Sequence, residues 1–243
     1  ASFNARFDGA ATNDGLGMSE NLAVDLDNNG EIDLAMGAAT DYNGLSNSGS
    51  VYVRKNIGSL FSTTGTTIDL ANNSNFEIRY DGASAAENIG EMFLKSGDVN
   101  DDGKQDLVLD AYNAGNNSRP GSGSVYLILN NFFASITGTG NIIHLATSSN
   151  YFARFDGGTT TNEYLGVGLA VEDLDANGKD DLLLGATGAD YAGTGSGSLY
   201  LVYDDQINAL SGSGNNIDLG TSSNYRARID GPAAGSNLFR HGM

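Results

Sequence analysis

One short string recurs four times along the chain: Arg6-Phe7-Asp8-Gly9, Arg79-Tyr80-Asp81-Gly82, Arg154-Phe155-Asp156-Gly157 and Arg228-Ile229-Asp230-Gly231, at offsets of 73, 75 and 74 residues. A fixed period of this length marks a tandem array in which each period is one supersecondary unit, stabilised by stacking on its neighbours. Two further blocks keep the same spacing. An acidic block runs from Asp25 to Leu34, Asp98 to Leu107 and Asp173 to Leu182; a β-rich block opens with Gly49-Ser50-Val51-Tyr52, Gly123-Ser124-Val125-Tyr126 and Gly197-Ser198-Leu199-Tyr200. The repeat units are placed at about 3–75, 76–150 and 151–224, with a partial fourth at 225–243, in one repeat region over 1–243.

Inside a unit the apolar runs are short and bounded by turn residues: Tyr151 to Phe155, Leu165 to Val171, Leu182 to Ala186 and Leu199 to Tyr203. Four such runs predict four strands. A weaker run sits in the Ser/Thr/Asn/Gly-rich connection, as Ile68-Asp69-Leu70, Ile142 to Leu145 or Ile217-Asp218-Leu219, and its pairing is left open. Composition supports an all-β class: 34 Gly and 27 Asn favour turns, while Asp outnumbers Glu by 23 to 7 and Lys occurs four times, the reverse of a helical protein's usage. The predicted fold is therefore all-β, with β-propeller blades of four antiparallel strands, about three blades plus part of a fourth. Propellers use about four to eight blades, so the expectation is a segment of a larger propeller or a structure completed by neighbouring subunits.

The formal net charge is −18, which repels nucleic acid phosphates and anionic lipid and makes cations the partners to expect. The longest apolar runs, such as Val125 to Leu129, fall far short of the roughly 20 residues a membrane helix needs. Neither nucleic acid binding nor membrane insertion is expected. There is no Cys, hence no disulfide framework, and a Cys-free acidic chain rich in Asn, Gly, Ser and Thr suits an extracellular or cell-surface location.

The acidic blocks carry the chemistry. Positions one, three, five and nine are Asp25, Asp27, Asn29 and Asp33; Asp98, Asn100, Asp102 and Asp106; Asp173, Asp175, Asn177 and Asp181. Gly30, Gly103 and Gly178 fill position six, where a tight loop needs positive φ to turn its oxygens inward. Position seven, Glu31, Lys104 or Lys179, varies in chemistry as a backbone-carbonyl ligand would. Three carboxylates and one amide per loop, without His or Cys, select Ca²⁺ over zinc or copper, and Mg²⁺ demands a stricter octahedron. An EF-hand would require Glu at position twelve, but Met36, Leu109 and Leu184 stand there. The loop instead runs from position nine into a strand, a calcium loop within a β-hairpin. Three loops in register predict three calcium sites, where one alone would read as an ordinary turn.

The pattern Leu165-Gly166, Asp173-Leu174-Asp175-Ala176-Asn177-Gly178, Asp181-Leu182, Gly185-Ala186-Thr187 and Gly197-Ser198-Leu199-Tyr200 resembles the FG-GAP repeat of integrin α-subunit propellers. It is more similar still to the FG-GAP repeats of bacterial surface and secreted proteins. The resemblance implies a propeller, commonly of seven blades, with Ca²⁺ in the loop between the first two strands of a blade. The "FG" pair is Leu16-Gly17, Ile89-Gly90 and Leu165-Gly166; the "GAP" segment is Gly37-Ala38-Ala39, Asp110-Ala111-Tyr112 and Gly185-Ala186-Thr187.

Arg6, Arg79, Arg154 and Arg228 each share a strand face with the Asp two positions on, which predicts structural pairs. Tyr52, Tyr126 and Tyr200 alternate with apolar neighbours and read as packing residues. His144 and His241 fall at non-equivalent places, and no Gly-x-Ser-x-Gly nucleophile motif appears, so no enzymatic activity is expected. The expected function is a calcium-binding extracellular propeller module for binding, adhesion or surface assembly, with an unknown protein or glycan ligand. The alternatives are a structural subunit of a self-assembling fibre or sheath, and an accessory region of a secreted enzyme.

Overall fold

The computed structural model describes residues 3–41, 44–62, 64–158 and 161–238; His241 and the end of the partial fourth unit lie outside the described residues. The first period holds β1 (Ala5–Asp8), β2 (Leu22–Val24), β3 (Asp33–Ala38), β4 (Ser50–Arg54) and β5 (Thr66–Asp69). The second holds β6 (Ile78–Asp81), β7 (Leu94–Gly97), β8 (Asp106–Ala111), β9 (Ser124–Ile128), the short helix α1 (Asn130–Ser135) and β10 (Asn141–His144). The third repeats this order with β11 (Ala153–Asp156), β12 (Leu165–Glu172), β13 (Asp181–Ala186), β14 (Ser198–Val202), α2 (Asp204–Asn208) and β15 (Asn215–Asp218), and β16 (Ala227–Asp230) follows.

Each acidic loop joins the first two strands of an antiparallel sheet, and the Gly-Ser-x-Tyr strand pairs next to them. The fourth strand comes from the following unit. β6 lies antiparallel on β4, β11 on β9 and β16 on β14, with Tyr52, Tyr126 and Tyr200 opposite Arg79, Arg154 and Arg228. The sequence units at 3–75, 76–150 and 151–224 are therefore out of phase with the sheets. Within 225–238, β16 completes the third sheet.

The weak Ile-containing run does pair, and it adds a fifth strand that the four-strand expectation lacked. β5, β10 and β15 lie parallel on β1, β6 and β11, placing Ile68, Ile143 and Ile217 opposite Phe7, Tyr80 and Phe155. Parallel pairing needs a long crossover connection, which the rest of the unit supplies. The sheets thus run β10-β6-β4-β3-β2, β15-β11-β9-β8-β7 and β12-β13-β14-β16, beside a two-stranded β1-β5.

The middle sheet is buried on both faces. Along β8, Leu107, Leu109 and Ala111 join the core shared with the first sheet, while Val108 joins the core shared with the third. Along β9, Tyr126 and Ile128 divide from Val125 and Leu127 in the same way, as the two-residue period of a strand requires. Backbones approach closely where the sheets meet: a Cβ on Gly37 would fall 2.1 Å from the Gly90 carbonyl oxygen. Asp110 takes the place of Gly37 in the second sheet, yet β8 runs unbroken, and the Asp110 carboxylate accepts main-chain N–H bonds from Met92 (3.3 Å) and Phe93 (3.1 Å).

Each repeated Arg forms a two-pronged pair with its Asp, from 2.7 and 2.8 Å at Arg6 to 2.7 and 3.0 Å at Arg228. Tyr52, Tyr126 and Tyr200 are fully buried and pack edge-on against Phe76, Tyr151 and Tyr225. The innermost strands of all three large sheets meet at a cavity of about 400 Å³ lined by Leu22, Leu94, Lys95, Leu169 and Val171. Among the described residues, no helix is long and apolar enough to cross a membrane.

Candidate metal centre

The three acidic loops share one backbone path. Gly30, Gly103 and Gly178 have φ of +89°, +79° and +89°, and a Cβ at any of them would meet nothing within 4 Å. Glycine is used there for its left-handed backbone alone. Position four is left-handed as well, at Asn28 (+56°), Asp101 (+60°) and Ala176 (+62°).

The position-one carboxylate holds the turn. Asp25 accepts the N–H of Asn29 (3.0 Å) and Gly30 (2.8 Å), Asp98 those of Asp102 (2.9 Å) and Gly103 (2.7 Å), and Asp173 those of Asn177 (3.0 Å) and Gly178 (2.8 Å). Position five caps position seven: Asn29, Asp102 and Asn177 accept the N–H of Glu31, Lys104 and Lys179. Asn100 and Asp175, at position three, accept the N–H of Asp102 and Asn177.

The closing carboxylates Asp33, Asp106 and Asp181 are all fully buried. Each accepts the main-chain N–H of the second residue past the third strand: Asn56 (2.9 Å), Asn130 (2.7 Å) and Asp204 (2.8 Å). Asp33 and Asp181 also accept from Leu26 and Leu174. Sequence reasoning missed Asn56, Asn130 and Asp204, although each stands seven residues after the Gly of its Gly-Ser-x-Tyr string.

Two loops gather three carboxylates within 4.8 Å of one another: Asp25, Asp27 and Asp33, and Asp173, Asp175 and Asp181. The second loop, Asp98, Asn100, Asp102 and Asp106, does not form such a group among the described residues. Burial raises the pKa of Asp33 and Asp181, and it pushes Asp106 up to about 7 with help from Asp102 and Asp98. Carboxylates lose ionisation this way when they are withdrawn from water and crowded by like charge.

The residues fit a hard divalent cation. The side-chain donors are oxygens throughout, and Asp27 Oδ1 and Asp106 Oδ2 are buried with no hydrogen-bond partner, so both have lone pairs free for an ion. Asp27 Oδ2 meets Lys55 Nζ at 3.1 Å. Lys179 Nζ reaches Asp101 at 2.9 Å and Asp204 at 3.5 Å, so the Lys179 side chain pairs with acids and only its main-chain carbonyl is available to the loop. His144, on β10, stands 3.6 Å from Asp81 beside the Arg79 pair and apart from every loop.

Interlocked sheets with an acidic hairpin loop between the first two strands of each define an all-β repeat protein of the β-propeller type. A family model described as FG-GAP repeat matches residues 165–202, which run from the first residue of β12 to the last of β14. The third unit is thus similar to the FG-GAP repeat over that stretch, and the two preceding units carry the same sequence blocks in the same register. No curated protein matches the chain.

Proposed function

We propose that the chain is a calcium-stabilised, extracellular propeller module that serves in binding, adhesion or surface assembly, without catalytic activity of its own. The observation that carries the calcium reading is the threefold recurrence of one loop geometry, each closed by a fully buried Asp held by a main-chain N–H from beyond the third strand. Asp25, Asp27, Asn29 and Asp33 would hold one ion, Asp98, Asn100, Asp102 and Asp106 a second, and Asp173, Asp175, Asn177 and Asp181 a third. Glu31, Lys104 and Lys179 would contribute main-chain carbonyls. Bound calcium would supply positive charge to the clustered carboxylates, and so lock the hairpin between the first two strands.

The FG-GAP match supports a binding or adhesion role, since such repeats are typical of extracellular proteins. The protein or glycan bound is open.

Calorimetric calcium titration of the purified chain tests the first reading, with saturation expected near three equivalents and zero or one equivalent against it. Light scattering across a dilution series in calcium buffer tests assembly, and a 25.2 kDa monomer at every concentration would remove it.

A further inference from the structure

The second loop is linked to both of the others. Asp180, at position eight of the third loop, accepts the main-chain N–H of Asp98, the first ligand position of the second loop, at 2.8 Å. Lys179, one residue earlier, pairs with Asp101 inside the second loop at 2.9 Å. On the other side, Asn130 joins the second loop to the first. Its main-chain N–H donates to Asp106 at 2.7 Å, and its side-chain amide donates to the Leu26 carbonyl at 2.5 Å. Leu26 in turn donates its N–H to Asp33, the closing carboxylate of the first loop, at 2.9 Å.

Asn130 is fully buried and its Oδ1 has no hydrogen-bond partner; the same holds for Asp106 Oδ2 beside it. Of the three equivalent residues, Asn130 alone reaches across. Asn56 and Asp204 pair with Asn29 and Asn177 of their own loops. The second loop is also the one whose carboxylates are not gathered within 4.8 Å. It lies between two neighbours that grip its first and last ligand positions.

We propose that the loops bind calcium as a coupled row, with Asn130 and Asp180 as the positioning residues through which the outer loops order the middle one. The inference rests on the calcium reading above and extends it. Ordering positions seven to nine of the third loop around an ion fixes Asp180, and Asp180 fixes the backbone at Asp98. Ordering the first loop fixes the Leu26 carbonyl, and with it Asn130 and Asp106. Coupling of this kind is reciprocal: an ion in the second loop tightens its neighbours by the factor they tighten it.

Hydrogen exchange followed by mass spectrometry across a calcium titration of the whole chain tests this, because peptides covering 25–33, 98–106 and 173–181 give a midpoint for each loop. Asp180→Ala removes no ligand. It should raise the calcium midpoint of the second loop about fivefold or more while the first loop moves less. Asp181→Asn, which disables the third loop, should shift the second loop in the same direction, and Asp106→Asn should shift the third. Asn130→Ala should separate the first two loops; if it fails to fold, Asp33→Asn reads the same link through the midpoint of the second loop. A second-loop midpoint that stays within about twofold in Asp180→Ala and Asp181→Asn overturns the coupling. No calcium-dependent protection in any loop of the unsubstituted chain overturns the calcium reading itself, and the coupling with it.

Discussion

The Tyr126 hydroxyl donates to Glu87 Oε1 at 2.9 Å, and both residues are buried, at 0% and 1% exposure. The same pair recurs one unit on, Tyr200 to Glu163 at 2.8 Å. In the first unit the residue equivalent to Glu87 is the shorter Asp14, and Tyr52 turns to Asp41 at 2.8 Å. Glu87 has its pKa raised by burial despite accepting the N–H of Ser84 and the Tyr126 hydroxyl. Tyr126→Phe would strand a buried carboxyl oxygen, and an expected loss of about 1–3 kcal/mol follows from the cost of an unsatisfied buried acceptor. Urea denaturation measures it, and Glu87→Gln, whose amide oxygen can keep the Ser84 N–H while its NH2 donates to the Tyr126 oxygen, removes the charge and should lose less.

Calcium removal should loosen the fold. With a site Kd on the order of 10⁻⁴ M, as in extracellular modules, about 1 mM Ca²⁺ stabilises by roughly 1.4 kcal/mol per site. Chelation is expected to lower the melting temperature, and an unchanged one would argue against a structural role for the ion. Asp106→Ala should lose one equivalent in calorimetry, and Lys104→Ala should lose none, because only the main-chain carbonyl of Lys104 is assigned to the ion.

Ala176 adopts φ +62° at the loop position held by Asn28 and Asp101 in the other units. Left-handed backbone costs an L-residue with a Cβ about 1–2 kcal/mol, less for Asn and Asp. Ala176→Gly is expected to stabilise by about 0.5–1 kcal/mol, net of the unfolded-state entropy that glycine adds. Gly178→Ala, two residues on at φ +89°, should destabilise by about 1 kcal/mol through backbone strain alone. Thermal unfolding of the two variants in calcium buffer checks the opposite signs.

Asp110 is fully buried, and desolvation pushes its pKa from 3.8 up to about 8, with the nearby Glu91 adding in the same direction. Between those values the folded chain holds a proton that the unfolded chain has released. Its contribution to stability is therefore present at low pH and is lost as pH rises toward about 8, with a slope of at most about 1.4 kcal/mol per pH unit. Asp110→Asn cannot ionise and should flatten that part of the stability profile between about pH 5 and 8. Guanidinium melts of both chains at pH 5, 6, 7 and 8 measure the difference, and parallel profiles would show that Asp110 is ionised throughout.

The sequence alone determined the period, the all-β class, the twelve loop side chains and the positive φ at Gly30, Gly103 and Gly178. The period shows in one short string recurring every 73 to 75 residues, the loops depend on residues within about ten positions of one another, and their turns on glycine's lack of a Cβ. The Arg-Asp pairs and the buried Tyr52, Tyr126 and Tyr200 were legible for the same reason, since alternation along one strand sorts its two faces. Only the tertiary structure decided that β6, β11 and β16 close the sheet before them and that β5, β10 and β15 add a parallel fifth strand. Backbone hydrogen bonds carry no side-chain signature, so an Arg-x-Asp strand reads identically whether it pairs forward or back. Asn130 and Asp180 were invisible on the same ground: their contacts with Leu26 and Asp98 span 104 and 82 residues of chain, and they exist because stacking the sheets sets the loops side by side.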